Sequence, residues 1–154
     1  MVYPKSFFIS SGLGYSEHQL VAFDNALCNA GLANYNLLKV SSILPAGAKK
    51  ANKVAVRKGS PLLTAYAHIE SNSPGEHIAT AVGVAIPCSS DDVGVIMEYS
   101  GYCTATDAED HIKAMCKEAM SNHGIPYKEI MVSSIEAVVE NSNYTSLVSA
   151  IAFW

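Results

Sequence analysis

Apolar positions along the chain recur with two different periods, and the switches between them predict the elements. Phe7-Phe8-Ile9 lie in a compact apolar run that predicts a strand over 3–13, and Gly12 and Gly14 mark the turn that ends it. Leu20, Phe23, Leu27 and Ala30 then repeat at helical spacing, which predicts a helix over 16–29 buried along that stripe. Ser16, with Gln19 three residues on, has the capping-box pattern, and Gly31 suits the helix stop. Asp24 falls one position off the stripe, as a solvated helix carboxylate does.

A second apolar stretch predicts one strand over 36–44, which Pro45-Ala46-Gly47 ends. The segment 49–58 is basic and loop-like. Residues 62–70 predict a strand with Tyr66 and His68 on one face, and Asn72-Ser73-Pro74-Gly75 a turn. The small apolar run 79–86 suits a central strand packed on both faces, with Gly83 allowing a close approach. After the Asp91-Asp92 turn, 93–101 predicts a strand with Val95, Met97 and Tyr99 on one face and Ile96 and Glu98 on the other. Thr104 or Thr106 caps a helix to about residue 123, with Ala108, Ile112, Met115 and Ala119 at helical spacing and Gly124 as its stop. Strands over 129–140 and 144–154 follow. Two helices and some six strands, segregated, without repeat or linker, give a single α+β domain over 1–154, a layered sandwich.

Composition adds one expectation about assembly. The chain of 154 residues is 49% hydrophobic and 16% charged, apolar enough to predict buried subunit surface. A net charge of −4 and the lack of a Lys/Arg run argue against nucleic acid as a partner. Met1-Val2-Tyr3-Pro4-Lys5 is not a basic segment leading into an apolar one, and no apolar stretch reaches membrane-spanning length, so the expected location is the cytoplasm. Cys28, Cys88, Cys103 and Cys116 form no CxxC, so they read as buried thiols in a reducing compartment and no metal site is expected.

Two residues carry candidate chemistry. Ser41-Ser42 sits inside an apolar β-type run, where hydroxyl residues cost strand propensity. The Ser42 hydroxyl can attack the Ser41 carbonyl in an N→O acyl shift; β-elimination of the ester then leaves dehydroalanine, which becomes an N-terminal pyruvoyl group. Such a step needs strain or an oxyanion donor, and Asn36, on the same face of the predicted strand as Ser42, can supply one. The bland alternative is an inert pair, since Ser-Ser is common. Glu98 also has two readings: a strand-end carboxylate facing water, or a desolvated proton donor.

Several blocks go beyond this chemistry: Ala22-Phe23-Asp24-Asn25-Ala26-Leu27, Asn29-Ala30-Gly31, Asn36-Leu37-Leu38-Lys39-Val40-Ser41-Ser42-Ile43-Leu44-Pro45, Thr64-Ala65-Tyr66, Pro74-Gly75-Glu76, Val84-Ala85-Ile86-Pro87 and Ile96-Met97-Glu98-Tyr99. In this order they resemble the pyruvoyl-dependent arginine decarboxylases. The resemblance implies an αββα sandwich, self-cleaved between Ser41 and Ser42 into a β chain of residues 1–41 and an α chain of residues 42–154. It implies a covalent pyruvoyl group from Ser42 and a homotrimer with active sites between subunits. The implied reaction converts L-arginine to agmatine and CO₂ through an imine, within polyamine biosynthesis or acid resistance. Position by position it implies Ser42 as pyruvoyl precursor, Asn36 as processing aid, Glu98 as catalytic acid and Asp24 as the guanidinium-binding carboxylate from a neighbouring subunit. Ala33, where a glycine is expected, and Cys28, Cys88 and Cys103 depart from the pattern. Two alternatives stand beside it. One is a pyruvoyl decarboxylase for another amino acid; a substrate without a cationic tail would have no use for Asp24. The other is a non-processing paralogue acting as a binding or structural protein.

Overall fold

In the computed structural model, residues 3–154 are described; Met1 and Val2, part of the segment read for a leader, lie outside them. The elements in chain order are β1 (Ser6–Ser16), α1 (Gln19–Asn29), β2 (Asn36–Lys39), β3 (Ile43–Leu44), β4 (Lys49–Lys50) and β5 (Pro61–Ser71). These are followed by β6 (His77–Pro87), β7 (Gly94–Gly101), α2 (Ala105–His123), β8 (Tyr127–Val138) and β9 (Tyr144–Phe153). Sheet A has the order β2-β5-β9-β1-β4 and sheet B the order β3-β7-β6-β8.

Alternation along β6 and β9 makes the layers. Val82 and Val84 of β6 point inward and meet Ile151 and Phe153 of β9, together with Phe7, Ala65 and Ile96, in the core between the sheets. The intervening residues of β6, Ala79, Ala81 and Ala85, pack under Ala108, Ile112, Cys116 and Met120 of α2. On the other side, Val148, Ala150 and Ala152 of β9 pack under Ala26 and Ala30 of α1 and its C-terminal extension. The result is the expected αββα sandwich. Gly83 does permit a close approach: a Cβ there would lie 2.3 Å from Ile112 Cγ2. A chain of hydroxyls crosses the sandwich, from Ser133 of β8 to Ser11 of β1 (2.8 Å), to Ser149 of β9 (2.7 Å), to Thr80 of β6 (2.7 Å). Thr80 and Ser149 are fully buried, so these bonds replace lost water.

Helix α2 follows the sequence closely. Thr104 is its N-cap in a capping box with Asp107, and Gly124 ends it with φ 68°. Helix α1 departs in two ways. Its N-cap is His18, without a side-chain cap bond, because β1 runs on through Gly12 and Gly14 to Ser16. Ser16 accepts instead from the His18 N–H at 3.1 Å. The buried line is Ala22 and Ala26, whereas Leu20 is 77% exposed. The reason is the contact with β1: a Cβ on Gly12 would lie 2.2 Å from the Ala26 carbonyl oxygen, and one on Gly14 would lie 2.3 Å from that of Ala22. Backbone meets backbone there, and the small face of the helix turns inward.

The cysteines also differ from expectation. All four are free thiols, but Cys28 and Cys88 are exposed, Cys103 is half-buried and Cys116 is buried. Among the described residues no cluster of metal-ligating side chains occurs, and no helix is long and apolar enough to cross a membrane.

Candidate active site

The strand predicted over 36–44 is two strands in different sheets. Strand β2 runs parallel to β5 in sheet A, with Lys39 opposite Thr64. Strand β3 runs antiparallel to β7 in sheet B, with Ile43 opposite Val95. Val40, Ser41 and Ser42 make the crossing and belong to neither ladder. The Val40 N–H donates to the Thr64 carbonyl at 3.2 Å, and the Ile96 N–H donates to the Ser42 carbonyl at 2.7 Å. Ser41, between these anchors, is exposed, and Ser42 is half-buried.

This break removes the geometric reason for pairing Asn36 with Ser42, since the two no longer share a strand face. The Asn36 side-chain amide donates to the Gly59 carbonyl at 2.8 Å. Asp24 is exposed on α1.

Strand β7 has the predicted alternation. Val95, Met97 and Tyr99 face α2, and Ile96 faces the core between the sheets, with Glu98 on the same side. Glu98 therefore lies two residues beyond the anchor of Ser42, about 7 Å along the strand. Its Oε1 is 3.6 Å from the Lys39 ammonium. Its Oε2 is buried without a hydrogen-bond partner. Burial raises the Glu98 pKa above the ordinary carboxylate value; the Lys39 charge and hydrogen bond pull it back, with a smaller pull from the Tyr66 backbone. Lys39 also stands 4.6 Å from the centre of the Tyr66 ring, a cation–π contact.

A cavity of about 400 Å³ opens at this edge, lined by Lys39, Tyr66, Ala67, His68, Glu98, Tyr99 and Ser100. The His68 ring packs on Phe23 with centroids 4.3 Å apart. Its Nε2 lies 3.1 Å from Ser146 Oγ and 3.4 Å from Glu70 Oε2. Burial lowers the His68 pKa, with Glu70 opposing. Of the residues singled out in the sequence, Glu98 lines this cavity; Ser42, Asn36 and Asp24 do not. Lys39 escaped the sequence reading because it sits in an exposed, strand-like stretch where a lysine is ordinary. Its position three residues before Ser42 was the available signal.

The family model described as Pyruvoyl-dependent arginine decarboxylase (PvlArgDC) matches residues 6–154. The chain belongs to the pyruvoyl-dependent arginine decarboxylase family. It is 39% identical to the pyruvoyl-dependent arginine decarboxylase of Thermococcus kodakarensis, over 97% of this chain and 96% of that one. The corresponding protein of Methanocaldococcus jannaschii is 37% identical over 89% of this chain and 83% of its own. Among solved structures, a pyruvoyl-dependent histidine decarboxylase at pH 8 superposes with a TM-score of 0.54, covering 67% of this chain and 54% of that one. At 13% identity this is a likeness of fold, and it agrees with the two helices and two sheets of this family member.

Proposed function

We propose that the chain cuts itself between Ser41 and Ser42 and decarboxylates arginine to agmatine and CO₂ with the pyruvoyl group so formed. The observation that carries this reading is the crossing itself. Ser41–Ser42 is the stretch that passes from one sheet to the other, anchored on each side and free of ladder bonds, with the half-buried acid Glu98 on the strand that anchors Ser42. The Ser42 hydroxyl attacks the Ser41 carbonyl, and the amide becomes an ester. β-Elimination then expels the Ser41 carboxylate, and hydrolysis of the dehydroalanine tautomer releases ammonia.

The residues present fit a pyruvoyl group at position 42. The site is half-buried, its backbone carbonyl is held by Ile96, and an unpartnered carboxyl oxygen lies on the anchoring strand. Once formed, the group supplies the electron sink that allows CO₂ to leave. Glu98 holds the proton on its buried Oε2 and gives it to the carbon that loses CO₂. Asp24, exposed on α1, takes the guanidinium of an arginine bound at a neighbouring subunit of a homotrimer, a fork-to-carboxylate contact that lysine makes less well. Asn36 is given a part in processing by the family resemblance alone, its side-chain amide here donating to the Gly59 carbonyl. The proposal includes a cytoplasmic setting, where exposed Cys28 and Cys88 stay reduced, and a place in polyamine synthesis.

The test is intact mass under denaturing conditions, with N-terminal sequencing and an agmatine assay. Two fragments divided after Ser41, the larger one blocked, together with agmatine from arginine, are expected. A single uncut species without activity would overturn the proposal. Cleavage with turnover of another amino acid in place of arginine would transfer it to a different substrate.

A further inference from the structure

Lys39 belongs to no role assigned so far, yet it makes two contacts at the cavity. Its ammonium lies 3.6 Å from Glu98 Oε1 and 4.6 Å from the centre of the Tyr66 ring. The side chain is 55% exposed, so nothing in the packing forces it there. A long exposed lysine costs rotamer entropy to hold in place, and the ring and the carboxylate together offset that cost. The two oxygens of Glu98 are left unequal. One faces the cation, and the other is buried without a partner.

We propose that Lys39 is a positioning residue for Glu98: it fixes the carboxyl through Oε1, leaves Oε2 as the oxygen that carries the proton, and sets the pH at which that proton is lost. This inference rests on the decarboxylase reading for its purpose but not for its test. The titratable groups facing Glu98 in the cavity are Lys39 from β2 and Tyr66 and His68 from β5; Tyr99 borders the cavity, but its ring is stacked on His111 of α2. Of these, Lys39 is the fixed cation in contact with the carboxylate. Its charge favours the ionised acid and opposes burial, so removing it moves the Glu98 titration upward.

The experiment is a ¹³C-NMR titration of the Glu98 carboxyl in the full chain, unmodified and as Lys39→Met and Lys39→Arg. It reads Glu98 whether or not arginine is turned over. Lys39→Met should raise the midpoint by about one pH unit, and Lys39→Arg should restore it to within a few tenths. In the decarboxylation assay the limb that falls with rising pH should move upward with the NMR midpoint. An unmoved or lowered midpoint in folded Lys39→Met protein would overturn the inference, as would lost activity with an unmoved midpoint. A raised midpoint in a chain that makes no agmatine would support it and count against the decarboxylase reading alone. If Lys39→Met does not fold, Tyr66→Leu, which removes the ring under the ammonium, should raise the midpoint in the same direction by less; an unmoved midpoint there would also overturn it.

Discussion

Thr64 and Ile96 stand in opposite sheets and grip the chain on either side of Ser41. Thr64 takes the Val40 N–H at 3.2 Å, and Ile96 gives its N–H to the Ser42 carbonyl at 2.7 Å. Between those bonds the backbone has no ladder to follow, and the peptide proposed for cleavage is the one at that gap.

Ser42→Ala removes the attacking hydroxyl while leaving both anchors, which are backbone groups. It should give one uncut species, no agmatine, and a melting temperature within a few degrees of the parent. Ser41→Ala should still cut, because Ser41 supplies its carbonyl and its side chain is exposed. Mass spectrometry separates the two outcomes directly. Blocked cleavage in Ser41→Ala would contradict the proposed chemistry.

Glu98→Gln keeps the shape and loses the acid. Cleavage should persist, and turnover should fall by roughly 10²-fold or more, the scale of a lost general acid. The variant also tests the thermodynamics. A carboxyl whose pKa is raised in the folded chain binds a proton there that the unfolded chain has released, so its contribution to stability declines as pH rises through that window. At neutral pH Glu98→Gln should therefore melt above the parent. Below the ordinary value of 4.5 the difference should vanish, which a pH series of calorimetric scans would show.

Asp24→Ala should leave cleavage and folding intact, because the residue is exposed on α1. Its effect should be on KM for arginine, upward by roughly tenfold, as expected when a charge-assisted hydrogen-bonding partner is removed. Unchanged arginine kinetics would remove Asp24 from the guanidinium site.

Gly12→Ala has no room: the added carbon would lie 2.2 Å from a backbone oxygen that no side-chain rotation can move. The expected loss is about 1–3 kcal/mol or more in urea unfolding, as for other overpacked sites. Ser149→Ala, in the buried half of the hydroxyl chain, should cost about 1–3 kcal/mol by stranding the buried Thr80 hydroxyl, whereas Ser11 keeps its bond to Ser133.

Where local pattern and long-range packing agreed, the sequence was a good guide. Thr104, Gly124 and the alternation of Ile96 and Glu98 all depend on neighbours within a few residues, and all stand as expected. Helix α1 differs from expectation because apolar periodicity weighs Leu20 above Ala22. The close approach of Gly12 and Gly14 rewards the smaller residue, and that approach is a property of two elements together. The single strand over 36–44 failed for a similar reason. Between Asn36 and Leu44 the local signal against a strand is the low β-propensity of Ser41 and Ser42, too weak by itself to place a break; the division is fixed by Thr64 and Ile96, distant partners in different sheets. The sequence marks Glu98 as a candidate, but its link to Lys39 depends on two strands of opposite sheets, β2 and β7, bringing the side chains together.

The order of sheet A has a consequence for what a cut after Ser41 would release. Of its strands β2-β5-β9-β1-β4, β1 and β2 precede the cut, and β4, β5 and β9 follow it. Strand β1 lies between β9 and β4, matched to β9 from Phe7 to Ser16, and β2 is zipped to β5. Sheet B lies wholly in the larger piece, but neither piece owns the whole of sheet A. The two fragments would be interleaved like the teeth of one seam, and parting them would require tearing a middle strand out of the sheet. Backbone scission would thus change the covalent connectivity of the molecule and leave its architecture in place, a nicked protein that behaves as one body until it is denatured.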